Sequence, residues 1–154
     1  MKPYYPLLFV ALLLSSCGYH LGYSTSQSII LKEIINKTKH RNIEVELYRL
    51  VIEEIRRTHS LSLSDKGTEV TIIVESCRGI PIYEATNIPL VGDLSIEITL
   101  NIQSPDSKPV KRTLSVSERY DDRANITLEM AKQTALSRLA QSIILELISL
   151  PAKP

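Results

Sequence analysis

Residues 94–102 read LSIEITLNI. Leu94, Ile96, Ile98, Leu100 and Ile102 alternate without a fault with Ser95, Glu97, Thr99 and Asn101. A period of two puts the apolar set on one face of a strand and the polar set on the other. Such a strand belongs to a sheet with one buried face and one wet face. The elements around it are read against that requirement. Ser104 to Pro109 is a turn with two prolines, and Val110 to Tyr120 is the return strand. In it Leu114 and Val116 point inward, and Lys111, Thr113, Ser115, Ser117 and Arg119 point outward. Upstream, Val70, Ile72 and Val74 alternate with Glu69, Thr71 and Glu75, and Ile73 breaks the pattern.

Two stretches carry a helical period instead. Ile43, Leu47, Leu50, Val51 and Ile55 predict an amphipathic helix over about 43–58, with Asn42 as its N-cap. After Asp121-Asp122, whose charge suits a helix N-terminus, Leu128, Lys132, Leu136, Leu139, Ile143 and Leu147 trace one stripe, which Ala131, Ala135, Ala140, Ile144 and Ile148 widen. Pro151 ends this helix. Residues 28–35, SIILKEII, read as an Ile-rich strand, and 36–42, NKTKHRN, as a polar, basic loop. Leu61 and Leu63 predict a short strand, and Asp65-Lys66-Gly67 a turn that pairs it with the next strand as a hairpin. Residues 78–92 hold Pro81, Pro89, Gly79 and Gly92. Two prolines argue against a central strand, so this reads as a long connection. The element order is β-α-β-β-β-β-α. It predicts an α+β two-layer sandwich: an about four-stranded, mostly antiparallel sheet with both helices on one face. The opposite face is left open and rich in hydroxyls.

The N-terminus is a processing signal. MKPYYPLLFVALLLSSC, residues 1–17, has a basic start at Lys2 and an apolar run of eight from Leu7 to Leu14. A membrane-spanning helix needs about 20 apolar residues; eight suit a signal peptide. Leu14-Ser15-Ser16-Cys17 resembles a bacterial lipobox. The resemblance implies cleavage before Cys17, a diacylglyceryl group on its thiol and an acyl group on its new amine. Several acyl chains on one residue hold firmly, at about 0.8 kcal/mol per buried CH₂. The organisation is then a signal peptide at 1–16, a lipidated tether at 17–27 and a single α/β domain at 28–150. Gly18 is not the Asp that would favour the inner membrane, which points to the outer one.

Charge and composition narrow the function. The chain of 154 residues carries 18 basic and 17 acidic groups. With Lys2 cleaved away, 17 of each remain. A neutral chain is a poor general nucleic-acid binder. It has no Trp and one Phe, so it lacks a base-stacking platform. No Gly-x-Ser-x-Gly, P-loop or Gly-x-Gly-x-x-Gly occurs. His20, His40 and His59 are scattered. Glu53-Glu54 lies on a solvated helix side. The expectation is a protein that is not an enzyme, with no metal and no cofactor beyond the covalent lipid on Cys17. With Cys17 lipidated, Cys77 has no intrachain partner and reads as a half-buried strand residue.

The mature start, Cys17-Gly18-Tyr19-His20-Leu21, is similar to the LptE family of outer-membrane lipoproteins. So are Asn36-Lys37-Thr38 closing the first strand, the Glu- and Leu-rich helix from Glu44 to Arg57, and the element order. The connection around Pro81 and Pro89 and the lone Cys77 have no counterpart in that pattern. The resemblance implies a plug for the LptD β-barrel that helps assemble it and binds lipopolysaccharide on its way to the cell surface. The partners it implies are that barrel, lipopolysaccharide and the membrane. Lipopolysaccharide bears phosphates, which Lys and Arg suit. By parity and position the candidates are Lys111, Arg119, Arg112, Lys108 and Lys37, with Lys39 and Arg41 beside Lys37 in the first loop. The alternative is a periplasm-facing lipoprotein that acts as scaffold or pilot for another envelope complex.

Overall fold

The computed structural model describes residues 27–150, except 86, 87 and 106. The signal segment, Cys17 and residues 18–26 of the tether lie outside the described residues. The chain runs β1 (Gln27–Asn36), α1 (Ile43–Thr58), β2 (Leu61–Leu63), β3 (Thr68–Ala85), β4 (Ile88–Gln103) and β5 (Val110–Asp121). A short 3₁₀ turn (Asp122–Ala124) and α2 (Leu128–Ser149) follow. Among the described residues the sheet has five strands, in the order β2-β1-β3-β4-β5. β1 is parallel to both of its neighbours, and the other pairs are antiparallel.

This corrects the expected sheet of about four mostly antiparallel strands. The sheet is mixed, and β2 and β3 form no hairpin. β1, α1 and β2 make a parallel crossover, the connection parallel neighbours require. The chain then passes from one side of β1 to the other, because Ile29 pairs with Leu63 on one side and Thr68 on the other. Ser64 N–H donates to the Ile29 carbonyl at 3.0 Å as it turns. Gly67 makes the crossing feasible. Its φ is 141°, and a Cβ there would overlap the Ser28 carbonyl.

The second correction concerns residues 78–92. They are the far end of the β3–β4 hairpin, paired from Ser76↔Glu97 out to Ala85↔Ile88. Both prolines are accommodated because neither sits in a central position. β1 stops pairing at Val74 and β5 stops at Val91, so among the described residues the outer sides of β3 and β4 have no strand beside Pro81 and Pro89.

The core lies between the sheet and both helices. Val70, Ile72 and Val74 of β3 and Leu94, Ile96, Ile98, Leu100 and Ile102 of β4 are all buried. Ile43, Leu47, Val51 and Ile55 of α1 face them, as do Leu136, Leu139, Ile143 and Leu147 of α2. Each fully buried Leu or Ile is worth about 1.5–3 kcal/mol. The register of β3 shifts between Val74 and Ser76, which moves the inward parity to Cys77. Cys77 is therefore buried, more deeply than its sequence pattern suggests. Ile73, the residue that broke the alternation, sits on the opposite face beside Ile35.

Helix starts differ from the expected caps. Asn42 precedes α1 in a left-handed conformation, and its side chain makes no cap bond. Asp121 ends β5 rather than opening α2. Thr127 caps α2, its hydroxyl accepting from Met130 N–H at 3.2 Å.

Candidate functional site

Both helices pack on one side of the sheet, and among the described residues nothing covers the other. Register builds that open face row by row. Lys111, Asn101, Thr71 and Glu33 form one row, and Thr113, Thr99, Ile73 and Ile35 the next. Ser115, Glu97 and Ser76 follow, then Ser117, Ser95 and Arg78, then Arg119, Asp93 and Ile80. The outward residues of β5 are all exposed, as their parity requires. The face therefore interleaves hydroxyls with charges of both signs and with Ile35, Ile73 and Ile80.

The structure sorts the sequence-derived cations into separate places. Lys37 pairs with Glu75. Lys37 Nζ donates to the two Glu75 carboxylate oxygens at 3.0 and 3.2 Å. The Lys37 hydrogen bond holds the Glu75 carboxyl below the ordinary value against a smaller upward push from burial. The charges of Lys37 and Lys111 and a hydrogen bond from Thr99 add to the lowering. Arg119 stands at the other end of β5, about 27 Å from Lys111 by strand rise, so these two do not form one clamp. Arg112 has helix-side parity, and its Nε binds Glu146 of α2 at 3.0 Å. Lys108 is exposed in the β4–β5 connection, and Lys39 and Arg41 are exposed in the loop after β1.

Sequence reasoning missed Arg78. It lies on the open face of β3, across β4 from Ser117, one row from Arg119. The proline reading of 78–92 hid it. Once the parity shifts at Glu75, the alternation of Arg78, Ile80 and Ile82 with Cys77, Gly79 and Pro81 is visible.

On the helix side, Lys132 ties the two helices together. Its Nζ lies 2.9 Å from Glu129 and 3.3 Å from Glu46. Desolvation alone would lower its pKa, but the hydrogen bonds and charges of Glu129 and Glu46 outweigh it and raise the value. Burial pushes the Cys77 thiol up, opposed only in part by the charge of Lys132. Glu53 and Glu54 each face an arginine, Arg49 at 4.0 Å and Arg57 at 3.5 Å, and form no acid pair. Among the described residues, no three His, Cys, Asp or Glu side chains gather where a metal ion could be held. Among them, too, no helix is long and apolar enough to cross a membrane.

No family model matches the chain, and no curated protein matches it. Solved structures do. A minor lipoprotein of Acinetobacter baumannii shares 13% identity over 80% of this chain and 94% of its own, with a TM-score of 0.53. Rare lipoprotein B of Shewanella oneidensis shares 14% over 78% and 94%, with a TM-score of 0.55. This is a fold that bacterial lipoproteins use. A hypothetical protein of Chlamydia trachomatis has it as well, at 8% identity over 80% of this chain and 96% of its own, with a TM-score of 0.61. At these identities the likeness is one of fold.

Proposed function

We propose that the protein is a lipid-anchored lipoprotein of the outer membrane that plugs and helps assemble an LptD-type β-barrel and binds lipopolysaccharide during its delivery. It acts by binding, without catalysis and without a cofactor other than the lipid on Cys17. The reading rests on the open sheet face. The lumen of a large outer-membrane barrel is polar and wet, and a plug must present to it a surface of the kind Thr113, Ser115, Ser117, Ser95 and Thr71 make. The lipobox at Leu14–Cys17 and the lipoprotein neighbours support the anchor. Lys111 and Arg119 at the two ends of the face, with Lys37 and Arg78 between them, are the cations placed to meet phosphate groups.

The acidic residues on the same face, Glu33, Asp93 and Glu97, favour a second reading. A face of mixed sign also suits a protein partner, as in a scaffold or pilot for another envelope complex. Lipopolysaccharide binding separates the two. Reversing Lys111 and Arg119 to Glu together should weaken binding of purified lipopolysaccharide about tenfold or more, while reversing Arg56 and Arg57 on α1 leaves it unchanged. Equal losses in both variants would leave only a non-specific charge effect and remove the lipopolysaccharide role from this face.

A further inference from the structure

We infer that the outer surface of the helix layer rests on the phospholipid bilayer that holds the chain's own lipid anchor, which turns the open sheet face away from the membrane. Val45 and Tyr48 of α1 are 61% and 50% exposed, and Ile52, one turn further on, is half-buried. Their spacing of three and four residues makes a second apolar stripe, distinct from the one that buries Ile43, Leu47, Val51 and Ile55. Tyr48 and Ile52 border an open hollow of about 360 Å³ on the helix surface. α2 runs beside α1 in the same direction, since Gln133 donates to Glu46 at 3.1 Å and Gln141 to Glu54 at 3.5 Å. By that register Leu145, which is 68% exposed, comes level with the end of α1 at Thr58. Exposed apolar side chains on an anchored domain gain by entering the headgroup boundary, and a tyrosine ring suits that depth.

Where the chain leaves the fold decides what covers this surface. Gln27 N–H donates to the Ser60 carbonyl at 3.0 Å, so the tether joins the domain beside the residues that end α1. Nine residues separate Gln27 from Cys17, about 30 Å at full stretch. The inference rests on lipidation at Cys17, which puts the bilayer within that reach of α1. A pose standing on Ile80 and Ile82 at the hairpin end would lift Gln27 about 40 Å from the bilayer by strand rise, farther than the tether extends.

Charge does not carry the contact. Arg49 and Arg56 flank the stripe, but Glu53 lies 4.0 Å from Arg49 and offsets it, and Arg57 pairs with Glu54. On the other side of the sheet, Glu33, Glu97 and Asp93 among the hydroxyl rows are costly to take out of water. Resting on the helices leaves them in water, where a partner meets them. The pose is that of the anchored chain before a partner takes it up, and it holds under either reading of the open face.

The test places the lipidated chain in phosphatidylcholine vesicles that contain a doxyl-labelled phospholipid quencher. Val45→Cys, Leu145→Cys and, on the open face, Thr113→Cys each carry a fluorophore, attached in the native chain where Cys77 is buried. Quenching should be at least about threefold stronger at 45 and 145 than at 113, and about 1 M salt should leave it intact. Val45→Glu with Tyr48→Glu, both at exposed sites and checked for an unchanged melting temperature, should bring quenching at 145 down to the level at 113. Equal quenching at the three sites, stronger quenching at 113, loss of quenching in salt, or a stable dimer that shields 45 and 145 would overturn the inference. Intact mass reads the anchor separately. A chain without lipid on Cys17 removes the anchor and the pose together, while a lipidated chain with unquenched helix labels overturns the pose alone.

Discussion

The ring of Tyr120 lies across Gly92 on the neighbouring strand, where a Cβ would overlap its hydroxyl end. Tyr120 is buried at the end of the sheet where the β3–β4 hairpin leaves the core, and Gly92 is the position that lets it lie flat. Gly92→Ala should cost about 1–3 kcal/mol through overpacking. Equilibrium urea unfolding of the two proteins measures it. An unchanged midpoint would mean that Tyr120 packs elsewhere.

Lys132 should make the helix pair sensitive to pH. The hydrogen bond from Lys132 leads in lowering the Glu129 pKa. A carboxyl with a lowered folded value contributes stability above its unfolded pKa of about 4.3, and loses it as pH falls through the lowered value. The raised Lys132 value works the other way. Its contribution is full below about pH 10.4 and is lost as pH rises through the folded value. Lys132→Met should cost about 1–2 kcal/mol at pH 7. The gap from wild type should narrow at both extremes. A gap of constant size from pH 3 to pH 11 would show that Lys132 acts by packing alone.

Cys77 should be a slow thiol. It is 8% exposed and its pKa is raised by burial, so thiolate is scarce and access is poor. Labelling by a maleimide in the native chain should run more than about tenfold slower than in urea. Equal rates would place Cys77 outside the core.

The anchor has its own test. Cys17→Ser should abolish incorporation of labelled palmitate in bacteria expressing the chain. Undiminished labelling would refute lipidation at that residue.

The strand at 94–102 and both helical stripes were legible because each carries its period over a long run, although Leu128 and Ile148 at the ends of the second stripe are exposed. What escaped the sequence depends on neighbours. A polar turn such as Asp65-Lys66-Gly67 is what a hairpin uses, and nothing local reveals that β1 lies between the two strands it joins. Pro81 and Pro89 weigh against a strand only where both of its sides are paired, and that is a property of the sheet. The extra residue at Glu75 shifts the parity, which hid the inward place of Cys77 and the outward place of Arg78. Of the candidate cations, parity gave the outward place of Lys111 and Arg119. That Lys37 reaches Glu75 and Arg112 reaches Glu146 depends on which elements become neighbours.

The central claim is the proposal that this open-faced domain plugs an LptD-type β-barrel. It is tested most directly by affinity purification of the tagged, lipidated chain from native outer membranes, with mass spectrometry of what accompanies it. The account predicts one large β-barrel protein at near-equal stoichiometry. Recovery of a secretin or of cell-wall synthesis proteins in its place, or of the chain alone, would contradict it.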